Sequence, residues 1–164
     1  MDARLIALKL FLDELGIPDN TSTIENRKLI QKAVYLGQCA GADLGYRFGW
    51  HKMGPYSADL ARDYYLLSER LALGDKDYEG RVLLKLKQEK LKRVLPLMSP
   101  PTDVALDKPD WLELVSSLHF LRKIRAFNEN QSREALSKEK PQLSQFVDRA
   151  EAKLKEVKSL GFRT

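Results

Sequence analysis

The stretch YRFGWHKMGPYSADLARDYY, Tyr46–Tyr65, decides the fold, because it places six aromatic residues around a Gly-Pro pair. Aromatic residues occupy every second position from Tyr46 to Trp50, and this period of two predicts a short extended segment. Residues 51–55 are expected to form a loop, because Gly54 tolerates unusual backbone angles and Pro55 has a fixed φ. Ser57 is a favoured N-cap residue for the helix that follows. We interpret the stretch as a corner that sets an extended segment against a helix.

Amphipathic helices are predicted on both sides of this corner, from apolar residues that recur at helical spacing. The first covers Ala3–Leu15. The second begins after a capping-box pattern formed by Ser22 and Glu25 and ends near Gly41. A third runs from Ser57 to Gly74, while residues 82–86 are ambiguous and read as extended. Further helices are predicted over residues 88–97, 109–124 and 133–138, and a long final helix is capped by Ser144.

The predicted fold class is therefore mainly α: one compact domain over residues 1–164, with about seven helices and one short extended element before the Gly-Pro turn. The helix that contains Trp111 and Leu118 is apolar around most of its circumference, so we expect it to be the central buried helix. Residues 130–164 resemble a helix-turn-helix in order, with a short helix, a turn at Pro141 and a capped helix. A plain amphipathic packing helix explains the same pattern.

The composition indicates a globular protein of a reducing compartment. The chain is 43% hydrophobic, but it has no apolar run near the roughly 20 residues that a membrane helix needs. The N-terminus alternates apolar and charged residues, unlike a signal peptide. The single Cys39 cannot form an internal disulfide, and a lone cysteine in an apolar helix is usually a small buried side chain. We predict a cytoplasmic protein without membrane contact.

Positive charge is concentrated in the second half of the chain. The net charge is −2 over residues 1–80 and +7 over residues 81–164. This asymmetry favours an acidic partner, either nucleic acid or an acidic protein face, although a solvated lysine-rich surface gives the same count. The candidate nucleic-acid contacts are Lys85, Lys87, Lys90, Lys92, Arg93, Arg149, Lys153, Lys155, Lys158 and Arg163.

The sequence offers few groups for catalysis. His51 and His119 are its two histidines, and neither lies in a recognisable nucleophile or metal motif. His119 lies in an apolar helix, where a histidine hydrogen-bonded to a neighbour is expected. Asp59 and Asp63 share a helix face, but two carboxylates alone are too few to hold a cation. We predict no enzyme activity, no cofactor and no metal site.

The GPYS turn supports one further reading. Free N–H groups at the start of the helix after Ser57, together with the helix dipole, attract a phosphate or carboxylate. A small-ligand or nucleotide sensor is therefore a weaker hypothesis than a turn that serves only to connect the extended segment to the helix.

Two segments resemble the SocA-like antitoxin domain, also called Panacea, and are still more similar to the uncharacterised YwgA-like bacterial proteins. They are RKLIQKAVYLGQ and YRFGWHKMGPYSADLARDYYLL, within residues 27–70. In both families a helix of the KL…YL type precedes an aromatic strand, a Gly-Pro turn and a helix that begins S-x-x-L. WLELVSSLHFL and EKPQLSQFVDRAEAKLKEVKSLG resemble the C-terminal part of the YwgA-like proteins.

The resemblance implies a compact helical domain without catalytic residues that acts as an antitoxin, or as an adaptor that binds a toxin. Our leading hypothesis is a non-enzymatic protein-interaction module of an antitoxin or defence-type operon, whose partner is a toxin or effector protein. The alternative is a basic nucleic-acid-binding accessory subunit that uses the C-terminal half. No separate helix-turn-helix domain is appended, which argues against autoregulation by DNA binding. The predicted partner-binding residues are Tyr46, Phe48, Trp50, His51, Lys52, Met53, Gly54, Pro55, Tyr56 and Ser57, of which His51, Lys52, Met53 and Tyr56 are expected to face outward.

Overall fold

The structure is a computed structural model that describes residues 1–162, and its fold is mainly α, as predicted. Eight α-helices and one two-stranded sheet lie within the described residues. In chain order the elements are α1 (Ala3–Leu15), α2 (Ile24–Cys39), β1 (Gly49–His51), β2 (Gly54–Tyr56), α3 (Ala58–Ala72), α4 (Lys85–Val94), α5 (Lys108–His119), α6 (Glu129–Glu139), α7 (Pro141–Ser144) and α8 (Val147–Lys155). A 3-10 turn, Leu95–Leu97, follows α4, a π-helical turn, Phe120–Ile124, follows α5, and a 3-10 turn, Lys158–Leu160, follows α8.

Helix α5 is the central element, and its predicted burial is confirmed. Every residue from Trp111 to His119 is buried, and the helix packs against α2 on one side and α8 on the other. Trp111 is fully buried, and its indole N–H donates to the Leu97 carbonyl at 2.9 Å, which satisfies the only polar atom of the ring. The apolar prediction extended to Ile124, but that side chain is 58% exposed at the end of the π-helical turn.

The two strands form an antiparallel hairpin in which Trp50 pairs with Pro55 and His51 with Gly54. The extended prediction for residues 46–50 is correct only at its end, because β1 begins at Gly49. The loop prediction for residues 51–55 is wrong, since only Lys52 and Met53 lie outside the two strands. Gly54 has φ +91°, and a glycine of positive φ after a short turn lets the strands return in register.

Helix caps confirm some predictions and correct others. Ser57 caps α3 as expected, because its hydroxyl accepts from the Leu60 N–H at 3.2 Å. The cap of α2 is Thr23 rather than Ser22, so the predicted capping box is one residue out of register. Ser144 does not cap the final helix. It ends α7 with its hydroxyl donating to the Pro141 carbonyl, and α8 starts at Val147 without a side-chain cap.

Two other boundaries differ from the predicted ones. Helix α4 begins at Lys85, so only residues 82–84 of the ambiguous segment 82–86 stay outside a helix. Helix α6 begins at Glu129, four residues before the predicted start at residue 133, because Asn128 and Gln131 form a capping box there. Within the described residues, none of the helices has the length and apolar character to cross a membrane.

Candidate functional site

A small pocket lies where α2, the hairpin and the first two turns of α3 meet. Its volume is about 190 Å³. We call it the hairpin pocket. It is lined by Ile24, Arg27, Lys28, Gln31, Lys32, Met53, Tyr56, Tyr64 and Tyr65. The mixture of apolar, phenolic and cationic side chains distinguishes it from the larger concave surface of about 420 Å³ between α1 and residues 81–87. The described lining of that larger surface contains no phenol, and its charged groups are Arg81, Lys87 and the N-terminal ammonium of Met1.

The predicted partner-binding residues divide into those that face outward and those that build the corner. His51, Lys52 and Met53 are exposed at the hairpin tip, and Tyr56 is half-buried beside them. The His51 and Tyr56 rings lie 4.8 Å apart across the two strands. The outward set is therefore the one that the sequence led us to expect.

Phe48 and Trp50 are half-buried and pack toward the core. Phe48 meets Tyr35 edge-on with ring centroids 5.4 Å apart, and Trp50 lies 5.6 Å from the Phe120 ring. The Arg125 guanidinium lies over the Trp50 ring at 5.6 Å. These rings anchor β1 to the helices, so little of their surface is left for a partner.

Tyr46 also points inward, toward α3. Its hydroxyl donates to the Asp63 carboxylate at 2.8 Å, and Asp63 is 1% exposed. Burial, with the Asp63 carboxylate beside it, raises the pKa of Tyr46, so the phenol keeps its proton. Asp59 lies in solvent and pairs with Arg62 at 3.5 Å, so the two aspartates of this helix share no site.

Gly54, Pro55 and Ser57 are buried; the backbone of Pro55 and Ser57 binds side chains of α2, and the Ser57 hydroxyl also caps α3. The Gln31 side chain donates to the Ser57 carbonyl at 2.9 Å and accepts from the Ser57 N–H at 2.9 Å. The Pro55 carbonyl accepts from the Lys32 ammonium at 2.6 Å. Helix α2 thus holds the hairpin and the start of α3 through two side chains that are each 2% exposed.

Lys32 is a buried cation of the hairpin pocket. In the described part of the chain no carboxylate lies within 4 Å of its ammonium, and one of its three N–H donors is used, by Pro55. Burial lowers the pKa of Lys32 to about 7; the more distant Glu113 opposes this, while the positive charges of Lys140 and Lys28 add to it. The group therefore changes charge near neutral pH.

A carboxylate behind the pocket is shared by two other lysines. Glu113, 5% exposed on α5, pairs with Lys28 of α2 and accepts from the Lys140 ammonium at 2.6 Å. Lys28 also pairs with Asp110 at 2.7 Å, and its hydrogen bonds to both carboxylates raise its pKa against the effect of burial. Lys140, 2% exposed, donates to the Lys52 carbonyl at 2.8 Å and so binds the hairpin at a second point, in addition to the Lys32 contact with Pro55.

Arg27 and the tyrosines complete the pocket. Arg27 is half-buried, donates to the Thr21 carbonyl at 2.8 Å, and has no carboxylate partner among residues 1–162. Burial raises the pKa of Tyr64 to about 12, with neighbouring Tyr56 adding to the effect, so its hydroxyl remains a hydrogen-bond donor. Three phenols and two unpaired cations therefore converge on one small space.

The other polar groups considered from the sequence serve the core. His119 is 3% exposed; its Nε2 lies 3.0 Å from the Leu160 carbonyl and its Nδ1 2.7 Å from the Tyr35 hydroxyl. Burial raises the pKa of the Cys39 thiol to about 11, which keeps it protonated at neutral pH. Residues 1–162 contain no group of three or more potential ligands that could hold a metal ion.

The candidate nucleic-acid contacts lie on two helices with different surroundings. On α4, Lys85, Lys92 and Arg93 are exposed, while Lys87 and Lys90 donate to the backbone carbonyls of Asp43 and Gly41. None of these five has a carboxylate within 4 Å in the described region, so the charge of α4 is largely free.

The positive charge of α8 is mostly neutralised by nearby carboxylates. Arg149 pairs with Asp103 at 2.9 Å, and Lys153 pairs with Glu156 at 3.4 Å. Lys155 lies 3.7 Å from the Glu151 carboxylate. Lys158 is exposed, and Arg163 lies outside the described residues.

Sequence reasoning missed the buried ionic cluster of Lys28, Glu113 and Lys140 and the buried Lys32 beside it. Glu113 lies between Leu112 and Leu114 in the helix that we predicted to be buried, and a charge at such a position is a signal of a buried ion pair, whereas Lys32 lies beside polar residues of α2 and gave none. Lys140 precedes Pro141 and gave no such signal.

Comparisons of the chain with protein families, with curated proteins and with solved structures found no match in any of the three.

Proposed function

We propose that this chain is a non-enzymatic interaction module that binds a partner protein at the hairpin pocket. One observation supports this most directly: the exposed side chains of Met53, Ile24 and Tyr65 form an apolar rim around a pocket that has buried cations inside. Tyrosine, methionine and arginine are enriched at the core of protein interfaces, and this surface presents all three in Tyr65, Met53 and Arg27.

The hairpin is held in place before any partner arrives. Lys32 binds the Pro55 carbonyl, Lys140 binds the Lys52 carbonyl, and Trp50 packs on Phe120. A surface that is already ordered loses little conformational entropy on binding, so more of the contact energy appears as affinity.

The partner class rests on the family resemblance of residues 27–70. By that resemblance we propose a toxin or effector protein encoded in the same antitoxin or defence-type operon, met in the cytoplasm. The exposed hairpin tip lies in this segment, which is why we assign the partner to that surface.

The test is capture of the partner from the native host by the tagged chain and by a Met53→Asp variant. Met53 is exposed, so aspartate leaves the fold intact while it puts a charge in the apolar rim; Tyr56→Asp serves as a second variant. Val82→Asp, at an 80% exposed valine beside α4, is the matched control. We expect one stoichiometric protein with the parent and the control, and none with Met53→Asp. Equal capture by Met53→Asp would refute the proposal.

A second candidate is nucleic-acid binding through α4, favoured by its five basic residues without carboxylate partners in the described region. Neutralised phosphates release counterions, so an affinity of this origin falls steeply with salt. Lys92→Glu with Arg93→Glu should abolish retention of a DNA or RNA duplex and leave partner capture unchanged. A salt-independent affinity would exclude this candidate.

A further inference from the structure

The hairpin pocket contains more positive than negative charge. Within residues 1–162, its lining includes three cations, Arg27, Lys28 and Lys32, and no carboxylate. The carboxylates behind it, Glu113 and Asp110, are bound by Lys28 or Lys140. Arg27 and Lys32 stay without a carboxylate in the described part of the chain. Lys32 is 2% exposed and burial without a counterion favours its neutral form, so an anion that enters the pocket from outside stabilises the charged ammonium.

The volume of the pocket limits that anion to a small group. At about 190 Å³ it lies below the roughly 300–1,000 Å³ of sites that enclose a cofactor or drug-sized ligand. A single side chain fits, with its alkyl part against Ile24 and Met53 and its charge toward Lys32 and Arg27. An arginine guanidinium with most of its N–H groups free is suited to a planar carboxylate.

We propose that the hairpin pocket binds the carboxylate of an acidic side chain, aspartate or glutamate, that the partner protein inserts between Arg27 and Lys32. This inference rests on the proposed function, because the partner supplies the side chain. The Tyr56 and Tyr64 hydroxyls stand at the same pocket as further donors.

Binding is linked to protonation of Lys32. The groups that face it are Arg27 and Lys28 of α2, Tyr56 of β2, Tyr64 and Tyr65 of α3, Asp110 and Glu113 of α5, and Lys140 before α7. A bound carboxylate favours the charged ammonium, so binding takes up a proton and the pKa of Lys32, about 7 in the free protein, rises. If it rises by one unit, affinity is about tenfold higher at pH 6 than at pH 9.

The probe is N-acetyl-glutamate amide, whose only charge is the side-chain carboxylate. N-acetyl-glutamine amide is its neutral control, and inorganic phosphate is the competing anion. Titrations of the full chain are followed by NMR at the Lys32 side chain. We expect the glutamate probe to shift the Lys32 titration upward by about one pH unit, and the glutamine probe to leave it unchanged. An unchanged Lys32 titration, or equal effects of both probes, would overturn the inference. Tighter binding of phosphate would reassign the pocket to a phosphate ligand.

Variants give an independent readout. Lys32→Met keeps the alkyl chain and should remove both the binding of the probe and its pH dependence. Arg27→Met, at a half-buried position where folding is secure, should weaken the probe about tenfold, as loss of one charge-assisted contact does. Arg62→Met, whose side chain is exposed on α3 outside the pocket, should bind the probe like the parent.

Partner capture by these variants distinguishes a failure of this inference from a failure of the proposed function. If Lys32→Met and Arg27→Met still capture the partner as well as the parent while Met53→Asp does not, the carboxylate assignment fails and the interaction module stands. If Met53→Asp captures the partner normally, the proposed function fails whatever the probe does.

Discussion

At the residue scale, Gly54 combines a positive φ with an unusually close neighbour. A Cβ built on Gly54 would overlap the Ser117 hydroxyl oxygen and would lie 3.6 Å from the Ser117 Cβ and 3.8 Å from the Lys32 ammonium. The hairpin therefore approaches α5 as closely as it does only because residue 54 has no side chain.

Gly54→Ala should lower the free energy of unfolding by roughly 2–4 kcal/mol, from backbone strain plus overlap with Ser117. Gly74→Ala is the matched control, because Gly74 has φ +85° but nothing within 4 Å of an added Cβ. Gly74→Ala should lower the free energy of unfolding by about 1 kcal/mol, because it adds backbone strain without any overlap. Urea denaturation gives both values, and equal losses would contradict the overlap.

The Ser117 hydroxyl has no hydrogen-bond partner in the described residues although it is fully buried. A buried polar atom without a partner destabilises the fold, so Ser117→Ala should be neutral or stabilising by about 1 kcal/mol. In the Gly54→Ala background, Ser117→Ala should raise the free energy of unfolding by more than about 1 kcal/mol, because it also removes the hydroxyl that the new methyl group would overlap. A double-mutant cycle by denaturation measures that coupling.

His119 makes stability depend on pH. Burial lowers its pKa to about 4, with Lys123 adding to the effect and the hydrogen bond to the Leu160 carbonyl opposing it. Because the unfolded histidine titrates near 6.5, the unfolded state binds more protons between those values. The stabilisation is therefore complete above about pH 6.5 and falls by about 3 kcal/mol as the pH drops through 4.

The difference in unfolding free energy between the parent and His119→Gln, measured from pH 7.5 to pH 4, isolates this contribution from the titration of the carboxylates. A difference that does not change with pH would show that His119 keeps its solution pKa in the folded state.

At the scale of elements, α4 lacks a side-chain cap, and its N-cap residue is the exposed Leu84 with φ −55° and ψ 138°. Leu84→Asp should raise the free energy of unfolding by about 1 kcal/mol, because the carboxylate can accept a first-turn N–H and meets the positive end of the helix dipole. Val82→Asp makes the same change of charge at an exposed position before the cap and should give no gain. Thermal unfolding of both variants checks this.

Elements with strong local signals were predictable from the sequence, and those set by distant contacts were not. Helix α1 was predicted with its observed bounds because apolar spacing and Gly16 both mark it. The capping box of α2 was misplaced because Ser22 and Thr23 both have hydroxyls, and only the backbone geometry selects between them. We predicted a loop where β1 pairs with β2, because a three-residue strand has too few positions to show the alternation of apolar and polar side chains.

The candidate site was predictable only in part. The Gly-Pro pair indicated a chain reversal close to His51, Lys52 and Met53, and the observed turn at Lys52 and Met53 puts these residues in solvent. The ionic cluster depends on contacts between Lys28, Glu113 and Lys140, and two of these residues lie 85 or more positions from the first. No local pattern encodes such a contact.

At the scale of the whole molecule, Glu113 joins α2, α5 and the start of α7 through Lys28 and Lys140. Glu113→Gln leaves both ammonium groups buried without this counterion and should cost roughly 3–5 kcal/mol of unfolding free energy. Asp110→Asn, which removes the more exposed carboxylate of the same cluster, should cost about 1 kcal/mol or less. Guanidinium denaturation distinguishes the two, and similar small losses would show that the cluster is well hydrated.

The hydrogen bond from Lys140 to the hairpin can form only after most of the chain has been synthesised. Lys140 reaches the Lys52 carbonyl across 88 positions of sequence. Because a ribosome delivers the chain from its N-terminus, the hairpin emerges long before the residue that secures it. A nascent chain halted before residue 140 has the Lys32 contact to the hairpin but lacks the Lys140 contact, so the second support of the hairpin forms only late in synthesis.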